Sequence, residues 1–272
     1  MTKIKRSHRL VDITQYLLSH PHQLISMTYF VDRFNTAKSS ISEDVAIVKD
    51  QLQAAGVGIV ETVSGVTGGV RFIPYLAKDQ AKSEVLTIID QLKTGDRILP
   101  GGYFYLTDIL SHPKYLQTIG RVLATKYAHS GATAILTAAT KGVPLAQVVS
   151  MYLGIPYVMA RRDSKVTEGP TVSVNYVART NGRVEKLEVT RSSLAEDSKV
   201  ILIDDFLNSG GTIHGMLGIL KEFNSQCVGV AVLCESYRRE ADLSFEFDSL
   251  IKLGQPNTET GELSLEFGSI FD

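Results

Sequence analysis

Two adjacent carboxylates, Asp204 and Asp205, follow four apolar β-formers, Val200 to Ile203, and precede the small polar turn Phe206-Leu207-Asn208-Ser209-Gly210-Gly211-Thr212. Beyond the turn, Ile213, Met216, Leu217 and Leu220 recur at helical spacing. A helix N-terminus entered through glycines binds anions, because its free N–H groups and its dipole point at them. Glycine also lets the backbone come close to a phosphate. Paired carboxylates are the wrong chemistry for phosphate, but they accept hydrogen bonds from sugar hydroxyls. The combination asks for a phosphorylated ribose. An ordinary strand-to-helix turn is the plainer alternative for the same residues.

Three more stretches bear on that chemistry. A strand over Ala134 to Thr137 ends in Ala138-Ala139-Thr140-Lys141-Gly142, and Val143-Pro144-Leu145 opens a helix, which makes a second anion site with its own lysine. Arg161-Arg162-Asp163-Ser164-Lys165-Val166-Thr167-Glu168-Gly169 follows a strand over Ile155 to Ala160. Alone, such a run is a solvated loop; beside an anion site it can neutralise charge and exclude water. Thr171 to Ala178 and Val184 to Val189 flank Asn181-Gly182, a strong hairpin signal.

The run from Val200 to Thr212 resembles the phosphoribosyl-pyrophosphate (PRPP) motif of the type I phosphoribosyltransferases, and Ala139 to Gly142 resembles the pyrophosphate loop of that family. The resemblance implies that Asp204 and Asp205 hold the ribose hydroxyls. Phe206, Leu207, Asn208, Ser209, Gly210, Gly211 and Thr212 would surround the 5-phosphate, and Ala139, Thr140, Lys141 and Gly142 the pyrophosphate. Arg161, Arg162, Asp163 and Lys165 fall where the family has a flexible loop, and Tyr103 is a possible ligand contact. PRPP would arrive with Mg²⁺, with no metal ligand expected from the protein and no catalytic residue assigned. A guanosine or purine nucleotide carrying a diphosphate could compete for such a pocket.

These loops need a sheet to carry them. From Ala81 onward, helical and strand patterns alternate, which predicts an α/β fold with a parallel sheet flanked by helices. Helices are predicted over Ala81 to Gly95 and Lys114 to Tyr127, with Ile98 to Tyr105 as a rigid turn opening into aromatics. Val228 to Leu233 reads as a buried strand between the two cysteines, Cys227 and Cys234, whose spacing suits no metal site. Leu263 to Phe267 alternates as a further strand.

Upstream lies a different pattern. Leu10, Ile13, Leu17 and Leu18 predict a helix over Arg9 to Leu18, which Ser19 to His22 ends. Met27 to Phe34 is a second helix. A third runs to about Ala55, with Ile41, Val45, Val48 and Leu52 on one face and Asn35 or Ser40 as its cap. Ile59 to Val63 and Val70 to Ile73 form a hairpin. Three helices and a hairpin in this order predict a winged helix-turn-helix over residues 1–74, leaving 75–272 for the α/β domain. The start of the third helix, with Thr36, Lys38, Ser39 and Ser40, is small, hydroxylated and basic, as a helix entering a major groove requires. Lys3, Lys5, Arg6 and Arg9 form a basic arm, and Arg71 adds a charge on the wing. Residues 1–75 carry eight Lys/Arg against six Asp/Glu, leaving twenty against twenty-three for the remainder, so any basic surface is local. A helical cap that supports the α/β domain is the alternative.

Over nearly the whole chain these elements resemble the purine operon regulator family of Gram-positive bacteria. The resemblance rests on Lys5-Arg6-Ser7, Arg9-Leu10-Val11, Ala37 to Asp44, Ile98 to Leu110, Ala139 to Pro144, Lys165 to Gly169 and the PRPP motif. It implies a cytoplasmic homodimer that binds double-stranded DNA at purine-gene control regions and senses PRPP without turnover, chiefly as a repressor, with activation also open. Asn208 replaces the Asp that hypoxanthine–guanine salvage enzymes carry as a general base, and an amide cannot titrate. Asp-Asp-Phe-Leu is shared with the xanthine enzyme, so an active purine transferase with a structural N-terminal cap is the alternative. RNA binding is disfavoured by a winged helix, which suits duplex DNA. No apolar run reaches membrane-spanning length and no signal peptide is apparent.

Overall fold

The computed structural model describes residues 4–65, 67–94, 97–99, 103–163, 169–178, 183–237, 243–256 and 263–272. Lys3, Pro100 to Gly102, Ser164 to Glu168 with Lys165, and Asn181-Gly182 lie outside the described residues, and Tyr103 is described by its backbone alone. The chain divides into two compact units, Met1–Ala77 with Tyr152–Gly154, and Lys78–Met151 with Ile155–Asp272.

The first unit runs α1 (Arg6–Ser19), β1 (Ile25–Ser26), α2 (Met27–Phe34), α3 (Lys38–Ala54), β2 (Gly58–Val63) and β3 (Gly69–Pro74). The strands form an antiparallel sheet in the order β1-β3-β2. Ile13, Leu17, Phe30, Phe34, Ile41, Val45, Val48, Val60 and Phe72 make one buried cluster, so the apolar faces of all three helices meet the sheet. Ser26 caps α2 by accepting from Tyr29 N at 3.2 Å. The start of α3 differs from expectation. Asn35 takes a left-handed conformation at φ 44° and closes α2, Ala37 occupies the N-cap of α3 without a side-chain bond, and Ser40 lies inside the helix. Asparagine tolerates positive φ, so it serves the turn rather than the cap. α1 begins earlier than its apolar stripe because Arg6, Ser7 and His8 are exposed and add nothing to the periodicity.

The second unit runs α4 (Lys78–Leu92), β4 (Ile98–Leu99), β5 (Tyr103–Phe104), α5 (Thr107–Ser111), α6 (Pro113–Tyr127), β6 (Ala134–Ala138), α7 (Gly142–Leu153), β7 (Tyr157–Ala160), β8 (Thr171–Ala178), β9 (Arg183–Thr190), β10 (Lys199–Leu207), α8 (Gly211–Glu222), β11 (Gln226–Glu235), β12 (Asp248–Pro256) and β13 (Leu263–Phe267). Six strands form the main sheet in the order β13-β12-β11-β10-β6-β7, all parallel except β13. The continuous apolar runs of β6 and β10 fit strands covered on both faces. α8 packs on one face through Ile213, Met216, Ile219 and Leu220. Tyr127 of α6 reaches β11, its hydroxyl donating to Val230 O at 3.0 Å. The β8–β9 hairpin lies over α8, where glycine is required. A Cβ at Gly215 would sit 2.8 Å from Leu187 Cδ1, and one at Gly218 would sit 2.7 Å from Val174 Cγ1. The fold is thus a winged-helix unit joined to an α/β unit of phosphoribosyltransferase type. Among the described residues, no helix is long and apolar enough to cross a membrane.

Candidate functional site

Strand order places the site. β6 and β10 are neighbours, but the chain leaves β6 through α7 toward β7 and leaves β10 through α8 toward β11, on opposite sides. The crevice between two such carboxyl ends is where open α/β sheets bind ligands. The loop after β6 carries Ala139 to Lys141, and the loop after β10 carries Asn208 to Gly210. The two loops expected to bind anions therefore meet at one opening.

Asp204 and Asp205 end β10, and Asp205 N donates to Asp204 Oδ1 at 3.0 Å. Asp204 is 8% exposed. Burial pushes its carboxyl well above the ordinary carboxylate range, and the neighbouring Asp205 charge pushes the same way. Burial also raises Asp205, while the Lys141 ammonium pulls it back. The two carboxylates stand side by side with the Lys141 ammonium near Asp205 alone, and ligand hydroxyls could add further donors to them.

Gly210 forms the N-cap of α8 at φ +74°, and a Cβ there would lie 2.8 Å from Leu243 Cδ2. No side chain caps the helix, so its first N–H groups face the cavity lined by Ser209, Gly211 and Thr212. Gly142, at the start of α7, packs against the floor of the acidic pair. A Cβ there would overlap Thr137 Oγ1 and come within 3.4 Å of Asp204 Oδ1. The Ala139–Thr140 peptide between these features is cis.

The cavity they enclose measures about 720 Å³. It gathers residues 204–212, Ala139 to Lys141 and, from the cationic segment, Arg162. Arg161 contributes backbone instead, exchanging hydrogen bonds with Glu188 of β9 at 2.9 and 2.7 Å. Asp163 is exposed. Tyr176 of β8 and Glu185 of β9, neither assigned to the site from the sequence, also line the cavity. They are cross-strand partners, and the Tyr176 hydroxyl donates to Glu185 Oε2 at 2.6 Å. Burial and that bond push the Tyr176 phenol up to about 12.

The first unit has its own basic cleft of about 570 Å³, at the start of α3, lined by Lys5, Arg6, Arg9, Asn35, Thr36 and Ser40. Lys5, Lys38 and Ser39 are exposed. Arg9 is turned inward. It is 7% exposed, and its Nε donates to Asp44 Oδ2 at 2.8 Å. Arg6 Nε donates to the other oxygen at 2.8 Å, while its side chain stays half exposed. Asp44 is completely buried, so Arg9 serves as its counter-ion. Arg71 is paired across the wing with Glu61 at 2.8 Å, which reduces the net charge it offers a phosphate.

Residues 5–74 match the family model described as "Bacterial purine repressor, N-terminal", and residues 106–259 match "Phosphoribosyl transferase domain". The chain is 43% identical over 267 residues to the purine biosynthesis transcriptional repressor PurR of Bacillus subtilis, an alignment covering 98% of this chain and 94% of that protein. The chain belongs to the PurR family of purine biosynthesis transcriptional regulators. Family members carry both signs of control, since it is also 39% identical over 269 residues to the purine biosynthesis transcriptional activator PurR of Lactococcus lactis, covering 99% of each. Among solved structures, adenine phosphoribosyltransferase from Thermoanaerobacter pseudethanolicus superposes with a TM-score of 0.54 at 21% identity, covering 61% of this chain and 99% of that one. That likeness concerns the fold. PurR-family membership accounts for the pairing of a winged-helix unit with a phosphoribosyltransferase unit, an extension that a salvage enzyme does not need.

Proposed function

We propose that this PurR-family protein is a DNA-binding regulator of purine biosynthesis and salvage genes that senses PRPP in a phosphoribosyltransferase-like site without turning it over. The observation that carries the ligand assignment is the juxtaposition of the Asp204–Asp205 pair with two phosphate-sized loops at one crevice. The carboxylates suit the ribose hydroxyls, the start of α8 the 5-phosphate, and Thr140 to Gly142 with Lys141 the diphosphate. PRPP brings Mg²⁺ on its diphosphate, which balances charge that Lys141 and Arg162 leave over. A guanosine or purine nucleotide with a diphosphate fits the same anion loops and competes.

DNA engages the first unit at the start of α3, through Lys5, Arg6, Thr36, Lys38, Ser39 and Ser40, with Arg71 on the wing. The exposure of that helix start and the basic cleft beside it support this. The protein acts in the cytoplasm as a homodimer. Absence of turnover is supported by Asn208, which cannot exchange a proton with a base.

Calorimetric titration with PRPP and Mg²⁺, followed by transferase assays with xanthine, hypoxanthine, guanine and adenine, tests the proposal. Saturable PRPP binding without nucleotide product is the expected result. Product formation with xanthine would instead make the protein an enzyme with a structural cap.

A further inference from the structure

An anion pocket lined by a glutamate is a contradiction unless the glutamate has work of its own. Glu185 lines the cavity together with Lys141, Arg162 and the start of α8. Its Oε2 is shared by two donors, Arg162 at 3.0 Å and the Tyr176 hydroxyl at 2.6 Å. The Thr212 hydroxyl, in the first turn of α8, lines the same cavity and interacts with the Tyr176 phenol. A polar chain therefore runs from the arginine to the helix start that faces phosphate. The backbone keeps this in place. Arg161 and Glu188 exchange two main-chain hydrogen bonds, which holds Arg162 beside β9, and the β8–β9 register puts Tyr176 opposite Glu185.

Arg162 is 64% exposed at its side chain and Glu185 21%, so the pair is an open one at the cavity wall. Such a pair is weak, and a polyphosphate offers the guanidinium more charge and a bidentate fit. We propose that Glu185 is an internal competitor for the anionic ligand: it holds Arg162 in the unliganded site and yields it to the diphosphate, which raises the ligand concentration needed to fill the pocket. This rests on the proposal that the pocket takes a diphosphate-bearing ligand. Glu185 acts through Arg162 and is a positioning residue.

The test is calorimetry on the full chain with inorganic pyrophosphate and, separately, with PRPP and Mg²⁺. Glu185→Gln keeps an acceptor for Tyr176 but removes the charge. It is expected to bind pyrophosphate about two- to fivefold more tightly than wild type, the range of an open ion pair. Arg162→Ala is expected to bind more weakly, and adding E185Q to R162A should bring no gain. Equal or weaker binding by E185Q, or a gain undiminished in the R162A background, would overturn the inference. Failure of pyrophosphate to bind either protein would overturn it too. If E185Q folds poorly, E185A removes the same charge and reads the same competition. PRPP binding no more tightly than pyrophosphate would contradict the ligand assignment alone and leave the Arg162–Glu185 result standing.

Discussion

Asp44 and Asp204 are both withdrawn from water, one in each unit, and their surroundings are opposite. Asp44 has no exposed side-chain surface, and Arg6 and Arg9 each donate to it at 2.8 Å. Asp204 is 8% exposed, yet its immediate neighbour is a second carboxylate, and the Lys141 charge is felt at Asp205 rather than at Asp204 itself. A buried charge with its counter-ions in place ties elements together, here α1 to α3. A buried acid pair with a cation near only one member is the arrangement on which the proposed ligand site rests. The difference sets a carboxylate held by two arginines against a pair with one cation near a single member.

The comparison can be broken from either side. Replacing Asp204 and Asp205 together by Asn removes two charge-assisted acceptors, and PRPP affinity is expected to fall more than about a hundredfold with the fold intact. Unchanged affinity in calorimetry would take the pair out of the site. Asp44→Ala should leave Arg9 buried and unpaired, lowering stability by about 3–5 kcal/mol. Chemical denaturation of the full chain measures this, and DNA binding should fail while PRPP binding persists. A variant as stable as wild type would show that Asp44 is not the tie.

The pH dependence sharpens the contrast. The raised pKa of Asp204 means that the folded state binds more protons than the unfolded chain between the ordinary carboxylate range and the raised value. Stability therefore falls as pH rises through the raised value and recovers as pH drops toward about 4. Asp204→Asn removes that dependence. Its stability advantage over wild type is expected to grow as pH rises above the ordinary carboxylate range and to shrink on acidification, as followed by thermal melting across pH. The smallest effect is at α3: Lys38→Ala should weaken DNA binding modestly and reduce the log–log salt slope by about 0.9. An unchanged slope would place Lys38 off the phosphates.

The elements that position the site were legible where pattern is local. α2 and β8 match their sequence-based bounds, because Ser26 and Asn35 bracket one and Val172, Val174 and Tyr176 alternate along the other. The PRPP motif and the lysine loop were legible as motifs, and strand order brings them together. What escaped depends on partners distant in sequence. The two-residue β1 is too short to show a period. Arg9 looked available because Asp44 lies 35 residues away. Tyr176 and Glu185 escaped through register. A two-residue turn at Asn181-Gly182 would set Tyr176 opposite Leu187, whereas the hairpin pairs it with Glu185 and aligns Ala178 with Arg183. That shift by one residue pair on the same face puts a carboxylate into the anion pocket.

The most direct test of the central claim is fluorescence anisotropy of a labelled purine-gene control fragment titrated with this protein, with and without PRPP and Mg²⁺. The account predicts specific binding whose affinity shifts when PRPP is added, in wild type but not in the D204N/D205N variant, because a ligand that distinguishes two states must couple to DNA reciprocally. Specific binding indifferent to PRPP in the wild-type protein would contradict it.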